Sequence, residues 1–109
     1  MRSDQDCLSD IAEAIQRIGK YARMGRAHFD SDELVRTFII HQLLLIGEAA
    51  RGISESLRVR TPDIEWAVII GMRNRLIHGY FQVDAAEVWK TVERDVPKLQ
   101  EQAERLIEP

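Results

Sequence analysis

The chain has 109 residues, of which 45% are hydrophobic and 30% are charged, a balance that predicts one globular domain over residues 1–109. Its formal net charge of −3 excludes a broad basic surface that coats nucleic acid. The single cysteine excludes an internal disulfide and favours a reducing compartment. Because neither a signal peptide nor a membrane span is visible, we expect a cytoplasmic protein.

The first half of the sequence predicts two helices. Ser3 is a suitable N-cap for the first, which ends near Gly25. Its apolar residues recur at three- and four-residue steps and bury one stripe: Leu8, Ile11, Ile15, Ile18 and Ala22. After a polar connection at 29–32, a long second helix is predicted from about Asp32 to about Leu57. Most of its circumference is apolar, which is typical of a helix that is central or shared with a second subunit.

The second half predicts two or three further helices. Thr61 and Pro62 are expected to cap and begin the third, which should end at Gly79. Asp84 is the expected cap of the fourth, and Pro97 either kinks that helix or begins a fifth. No segment alternates as a strand does. The predicted fold is all-α, an up-and-down bundle of four to five helices.

Charge is unevenly distributed along the chain. Residues 51–80 carry five arginines against three carboxylates, for a local charge of +2, whereas the segments before and after are negative. This positive segment contains Arg73, Asn74, His78 and Tyr80, which place a cation, an amide, an imidazole and a phenol close together in the sequence. The pattern indicates a local site for an anion.

Helical geometry restricts how these side chains can meet. Arg73 and His78 are five residues apart and point about 140° away from each other, whereas Asn74 and His78 share a face. Arg73 and His78 can converge if the helix end distorts near Gly79, or if the same helix of a second subunit completes the site. Because most of the circumference of the predicted second helix is apolar, we favour completion of the site by a second subunit, in a homodimer.

An arginine and a histidine around one phosphodiester are sufficient for RNA cleavage without a metal. His78 could move the proton of the 2′-hydroxyl or of the leaving oxygen, while Arg73 stabilises the charge on phosphorus, and the product is a 2′,3′-cyclic phosphate. By spacing alone, the alternative is a surface arginine and a histidine that caps a helix C-terminus.

Residues 73–80 resemble the R-x4-H-x-Y signature of HepT-type proteins in the HEPN superfamily of small helical ribonucleases. Further segments follow the family's order along nearly the whole chain: 10–15, 46–50, 62–66, 70–74 and 80–84 with Val88-Trp89. The chain departs from the family pattern at 41–43, where no candidate catalytic residue is affected.

The resemblance implies a HEPN-like homodimer that is the ribonuclease toxin of a type VII toxin–antitoxin pair. Arg73 and His78 would be catalytic and Asn74 would support His78 or the phosphate, with neither metal nor cofactor. An MntA-type nucleotidyltransferase antitoxin would silence the toxin by transferring AMP to Tyr80. The alternative is a noncatalytic module that binds a nucleotide or docks the nucleotidyltransferase.

Two other polar side chains occur in the apolar second helix. Glu48 is expected to be a buried partner of an arginine or an accessory of the site. His41 is expected to be an interior or interface histidine rather than a catalyst.

Overall fold

The computed structural model of the chain describes residues 2–79 and 84–109. Its helices are α1 (Asp4–Ala22), α2 (Arg26–Ser31), α3 (Glu33–Arg51), α4 (Glu55–Arg60), α5 (Trp66–His78), α6 (Ala85–Lys90) and α7 (Val96–Leu106), and a π-helical segment, Thr91–Asp95, joins α6 to α7. The described residues form no strand, so the all-α prediction is confirmed. They form more helices than the predicted four to five, because two short ones, α2 and α4, are not evident from the sequence.

Helix α1 begins where the sequence indicates. The Ser3 hydroxyl accepts a hydrogen bond from the backbone N–H of Asp6, whose carboxylate in turn accepts one from the backbone N–H of Ser3. This capping box satisfies two backbone donors that the first turn would otherwise leave free. The predicted stripe of leucine and isoleucine side chains is buried.

Residues 26–31 are helical, so the prediction of a polar connection over 29–32 is wrong. Gly25, which directly precedes helix α2, has a φ of 92°, a conformation that glycine adopts without strain. Phe29 on this helix is 1% exposed, and its ring centroid lies 5.2 Å from that of Trp89. Burial of this aromatic side chain folds a segment whose other residues are mostly polar.

The long helix predicted to reach Leu57 is two helices, because α3 ends at Arg51 and α4 begins at Glu55. Ser54 caps α4, with its hydroxyl accepting a hydrogen bond from Leu57 N–H at 3.1 Å. The Asp4 carboxylate accepts hydrogen bonds from the Ser54 N–H at 2.7 Å and the Ser54 hydroxyl at 2.6 Å. These bonds lower the pKa of Asp4 below its ordinary value, and they tie the break to the start of α1.

Thr61 does not cap α5 as predicted, because α5 begins only at Trp66. Thr61 instead ends α4 and is buried. Its hydroxyl donates to the Leu57 carbonyl at 2.8 Å and accepts from the Trp66 indole N–H at 2.9 Å. The residue therefore satisfies two buried polar groups and anchors the first residue of α5.

Helix α6 begins where the sequence predicts, directly after Asp84. The Asp84 side chain accepts a hydrogen bond from Ala86 N–H at 2.9 Å, as predicted for a cap. Pro97 lies in the first turn of α7, directly after the π-helical segment. A proline lacks an N–H, and its ring crowds the carbonyl four residues earlier. The wider π turn accommodates that carbonyl, and the helix continues without a break.

Helices α1 and α3 form the centre, with α5 packed on α3 and α7 on α1. The Gln5 amide donates to the Leu106 carbonyl at 2.9 Å, so the start of α1 lies beside the end of α7. Asp4 at the same end contacts Ser54, just after α3. These contacts correspond to the up-and-down arrangement. Several of the most completely buried side chains belong to α1 and α3: Leu8, Ile11, Ile39, Leu43 and Ile46.

Candidate active site

All candidate catalytic residues that the structure describes lie on α5. The helix ends at His78, and Gly79 follows it, with its N–H donating to the Arg75 carbonyl at 2.8 Å. The predicted end at Gly79 is therefore confirmed. Tyr80, the predicted site of AMP transfer, lies outside the described residues.

Arg73 lies where α5 crosses α3. A Cβ atom added to Gly47 of α3 would stand 2.2 Å from the Arg73 Cβ, a distance that no side chain can occupy. The absence of a side chain at Gly47 thus allows the two helices to approach closely at this point. The Arg73 side chain is only 20% exposed as a result.

Two side chains hold the Arg73 guanidinium. Its Nη2 lies 2.9 Å from Oε2 of Glu48, and its Nη1 donates to Oδ1 of Asn74 at 2.9 Å. Its Nε is buried and has no hydrogen-bond partner among the described residues. Asn74 was expected to support His78 or a phosphate, and in the structure its carbonyl oxygen binds Arg73.

Glu48 pairs with arginine, as expected, but it is not buried. Its side chain is 58% exposed, and Oε2 also lies 3.6 Å from Nη1 of Arg51. The carboxylate is therefore shared between two guanidinium groups at the surface. His41 is exposed on α3, so it is not an interior histidine, and its place at an interface between subunits stays a prediction.

His78 is exposed at the last turn of α5. Small or polar residues form a row along the side of α5 that faces away from the core. The row consists of Ala67, Gly71, Asn74 and His78. A side chain added at Gly71 would meet nothing within 4 Å, so this row is open along its length. Arg73 packs against α3 at Gly47, while the His78 side chain is exposed to solvent.

Sequence reasoning did not identify the contact of Glu48 with Arg73. A signal was present in Gly47, a residue without a side chain in the middle of an apolar helix, which marks a place where another backbone can approach. The partner across that crossing is 26 residues further along the chain, counted from Gly47 to Arg73. Local patterns do not reveal such a pair.

Neither a metal site nor a membrane-spanning helix is found in the part of the chain that the structure describes. No group of three or more histidine, cysteine, aspartate or glutamate side chains is arranged to hold a metal ion within residues 2–79 and 84–109. Over the same ranges, every helix is too short or too polar to cross a membrane.

Comparison with known proteins shows the family. The family model described as "Ribonuclease HepT-like" matches residues 11–106. A protein of Thermococcus cleftensis named "Probable ribonuclease HepT" is 40% identical over 106 residues, which is 96% of each chain. A protein of Methanocaldococcus jannaschii named "Putative RNase MJ1380" is 35% identical over 98 residues, covering 89% of this chain and 90% of that protein. No solved structure matches. The chain belongs to the HepT-like ribonuclease family.

Proposed function

We propose that the chain is an RNA endonuclease in which Arg73 and His78 are the catalytic residues. One observation carries this proposal. The guanidinium of Arg73 on α5 is bound by Glu48 and Asn74, and the same helix ends at the exposed His78. The relatives' names point to the same activity. We assign this activity to a single HEPN-type domain that acts in the cytoplasm.

The proposed reaction is a transfer within the RNA chain. The 2′-oxygen attacks the adjacent phosphorus, its proton leaves, and the bond to the 5′-oxygen breaks as that oxygen takes up a proton. His78 exchanges one of these protons, because an imidazole can both accept and donate a proton. Arg73 stabilises the added negative charge on the pentacoordinate phosphorus. The product carries a 2′,3′-cyclic phosphate, and no step requires a metal.

The active form in this proposal is a homodimer with the catalytic groups contributed across a twofold axis. Arg73 and His78 point to different sides of α5, so a second copy of α5 would bring one chain's histidine towards the other chain's arginine. A twofold interface uses the same patch on both chains. The open row ending in His78 suits that patch, since Ala67 and Gly71 allow two backbones to approach. Val68 and Ile77, which are 58% and 43% exposed, add apolar surface nearby.

Regulation is proposed to occur through an antitoxin of the MntA type, a nucleotidyltransferase that transfers AMP to Tyr80. The adduct would place a bulky anion two residues from His78 and repel the phosphates of RNA. We expect Tyr80→Phe to remain active in the presence of the partner enzyme and ATP. Intact-mass measurement checks this, because a gain of one AMP on Tyr80→Phe would remove Tyr80 from the proposal.

The experiment that tests the ribonuclease itself compares two arginines of one helix. Arg73→Ala should lose RNA cleavage, whereas Arg75→Ala should retain it, since Arg75 is exposed two residues further along α5 and has no contact with Glu48 among those described. Both variants should keep the helical circular dichroism of the wild type. Equal loss in the two variants would show a general effect of charge and would contradict a specific role for Arg73.

The second candidate function is a noncatalytic module that binds a nucleotide or presents itself to the nucleotidyltransferase. The net charge of −3 favours it, because RNA-binding surfaces are usually basic. Expression without the partner gene separates the two. Growth inhibition that His78→Ala abolishes supports the nuclease, and harmless overproduction of the wild type supports the module.

A further inference from the structure

The contact between Glu48 and Arg73 joins two helices at the proposed catalytic arginine. Glu48 lies on α3 and Arg73 on α5, and Oε2 and Nη2 are 2.9 Å apart. The arginine is mostly buried and the glutamate mostly exposed. The contact is therefore at the mouth of the crevice between the helices, where an RNA phosphate would approach Arg73.

A carboxylate at this point has a cost for an RNA-binding protein. It repels phosphates, and it occupies part of the guanidinium that would bind them. If Glu48 were only a bystander, replacing it with a neutral residue would strengthen RNA binding and leave the chemical step unchanged. A functional role for Glu48 would therefore act through Arg73, by its effect on the guanidinium.

We propose that Glu48 is a positioning residue, which fixes the Arg73 guanidinium in the orientation needed to stabilise the transition state. The proposal rests on the ribonuclease function given above. Glu48 and Asn74 each bind a different terminal nitrogen of Arg73, so rotation about the last bonds of the side chain is restricted. A catalytic group held in place before the substrate arrives loses less entropy during the reaction.

The contacts leave donors available for a phosphate. A guanidinium carries five N–H donors. Asn74 accepts a hydrogen bond from Nη1, and the Glu48 carboxylate lies at ion-pair distance from Nη2. The Nε–H is buried and has no hydrogen-bond partner among the described residues, so an anion would bind through the N–H groups that remain on the two terminal nitrogens. Two donors at the outer edge match a phosphate in a bidentate contact.

The local charge also remains favourable for an anion. Glu48 lies between Arg73 and Arg51, at 2.9 Å and 3.6 Å, so one carboxylate is shared by two guanidinium groups. The three groups together carry a net charge of +1. Glu48 can thus orient Arg73 without neutralising the site.

The test measures kcat and KM for cleavage of a short RNA by Glu48→Ala and Glu48→Gln. Glu13→Ala is the matched control, because Glu13 is also 58% exposed and also pairs with an arginine, Arg17. We expect Glu48→Ala to lower kcat about 10–100-fold without raising KM, since small errors in the position of a catalytic group cost about this much. Glu48→Gln, which keeps an acceptor oxygen, should retain an intermediate kcat, and Glu13→Ala should match the wild type.

Two kinds of failure give different results. If the wild type cleaves RNA and Glu48→Ala has an unchanged kcat, Glu48 is a bystander and the ribonuclease proposal is unaffected. A raised KM with an unchanged kcat would likewise overturn the positioning role. If the wild type does not cleave RNA under conditions where it is folded, the ribonuclease proposal fails and the role of Glu48 fails with it.

Discussion

Arg73 can pack directly against α3 because the residue that faces it there, Gly47, has no side chain. A Cβ atom at Gly47 would stand 2.2 Å from the Arg73 Cβ, which leaves no space for even a methyl group. Cores of folded proteins are packed closely enough that such an overlap moves whole elements. The position of the proposed catalytic arginine is therefore set by a neighbour on another helix.

Gly47→Ala should destabilise the fold by about 2 kcal/mol, the usual range for inserting an atom into a packed contact. It should also lower RNA cleavage by displacing Arg73. Denaturant unfolding and cleavage rates check both effects. Gly19→Ala is the control, because a Cβ at Gly19 meets nothing within 4 Å, and alanine stabilises a helix interior by up to about 1 kcal/mol relative to glycine. Equal stability of Gly47→Ala and wild type would contradict the close crossing.

The sequence predicts part of this residue-scale arrangement. The 3.6-residue repeat places Arg73 and His78 on different sides of one helix, and the structure has Arg73 against α3 and His78 in solvent. The exposure of Glu48 was not predicted. Apolar neighbours along a sequence indicate burial for a helix as a whole, but Glu48 lies at the edge of the α3–α5 contact, where a long side chain reaches water.

At the scale of elements, the junction of α3 and α4 depends on Asp4. Its carboxylate receives two hydrogen bonds from Ser54, the cap of α4, and these lower the pKa of Asp4 from its ordinary value of 3.8. A carboxyl whose pKa is depressed in the folded state stabilises that state above its ordinary pKa. The stabilisation disappears as the pH falls through the lower, folded value.

Asp4→Asn should therefore destabilise the protein at neutral pH by about 1 kcal/mol, the usual size for a hydrogen bond to a partly exposed charged group. The difference from wild type should shrink as the pH is lowered below the ordinary pKa of 3.8. Denaturant unfolding at a series of pH values measures this. Asp63→Asn, which removes an exposed carboxylate, is the control, and a difference that does not depend on pH would contradict the role of Asp4.

The break between α3 and α4 was predictable in part. Gly52 and Ser54 are typical of a helix end and a helix start, but the apolar pattern continues through Ile53 to Leu57 and favours one long helix. Helix α2 was less predictable, because it depends on the burial of Phe29 against Trp89, and these rings are 60 residues apart in the sequence. Contacts of that kind override local preference.

At the scale of the whole molecule, the proposed mechanism requires two chains at one site. Arg73 and His78 are five residues apart on α5 and project from different sides of it, and the side that carries His78 is open to solvent. Most of the circumference of the predicted second helix is apolar, and contacts within one chain explain part of this, because α3 packs against both α1 and α5. The open side of α5 is therefore the feature that favours a dimer.

Mixing two inactive variants tests the shared site. If the Arg73 of one chain acts with the His78 of the other, a heterodimer of Arg73→Ala and His78→Ala chains contains one intact pair. Random exchange of subunits should then restore about a quarter of the wild-type activity, because half of the dimers are mixed and each has one of two sites. Activity measured after co-refolding checks this. No recovery, with dimers confirmed by light scattering, would contradict a site shared between chains.

In the proposed mechanism, the His78 imidazole and the Arg73 guanidinium act together on one RNA phosphate. The most direct test of this mechanism is incubation of RNA with the wild type and His78→Ala in the presence of EDTA, followed by analysis of the product ends. We expect 2′,3′-cyclic phosphate ends from the wild type and a rate about 10²–10⁴-fold lower for His78→Ala. Cleavage by His78→Ala at the wild-type rate, or wild-type products ending in a 3′-hydroxyl, would contradict the claim.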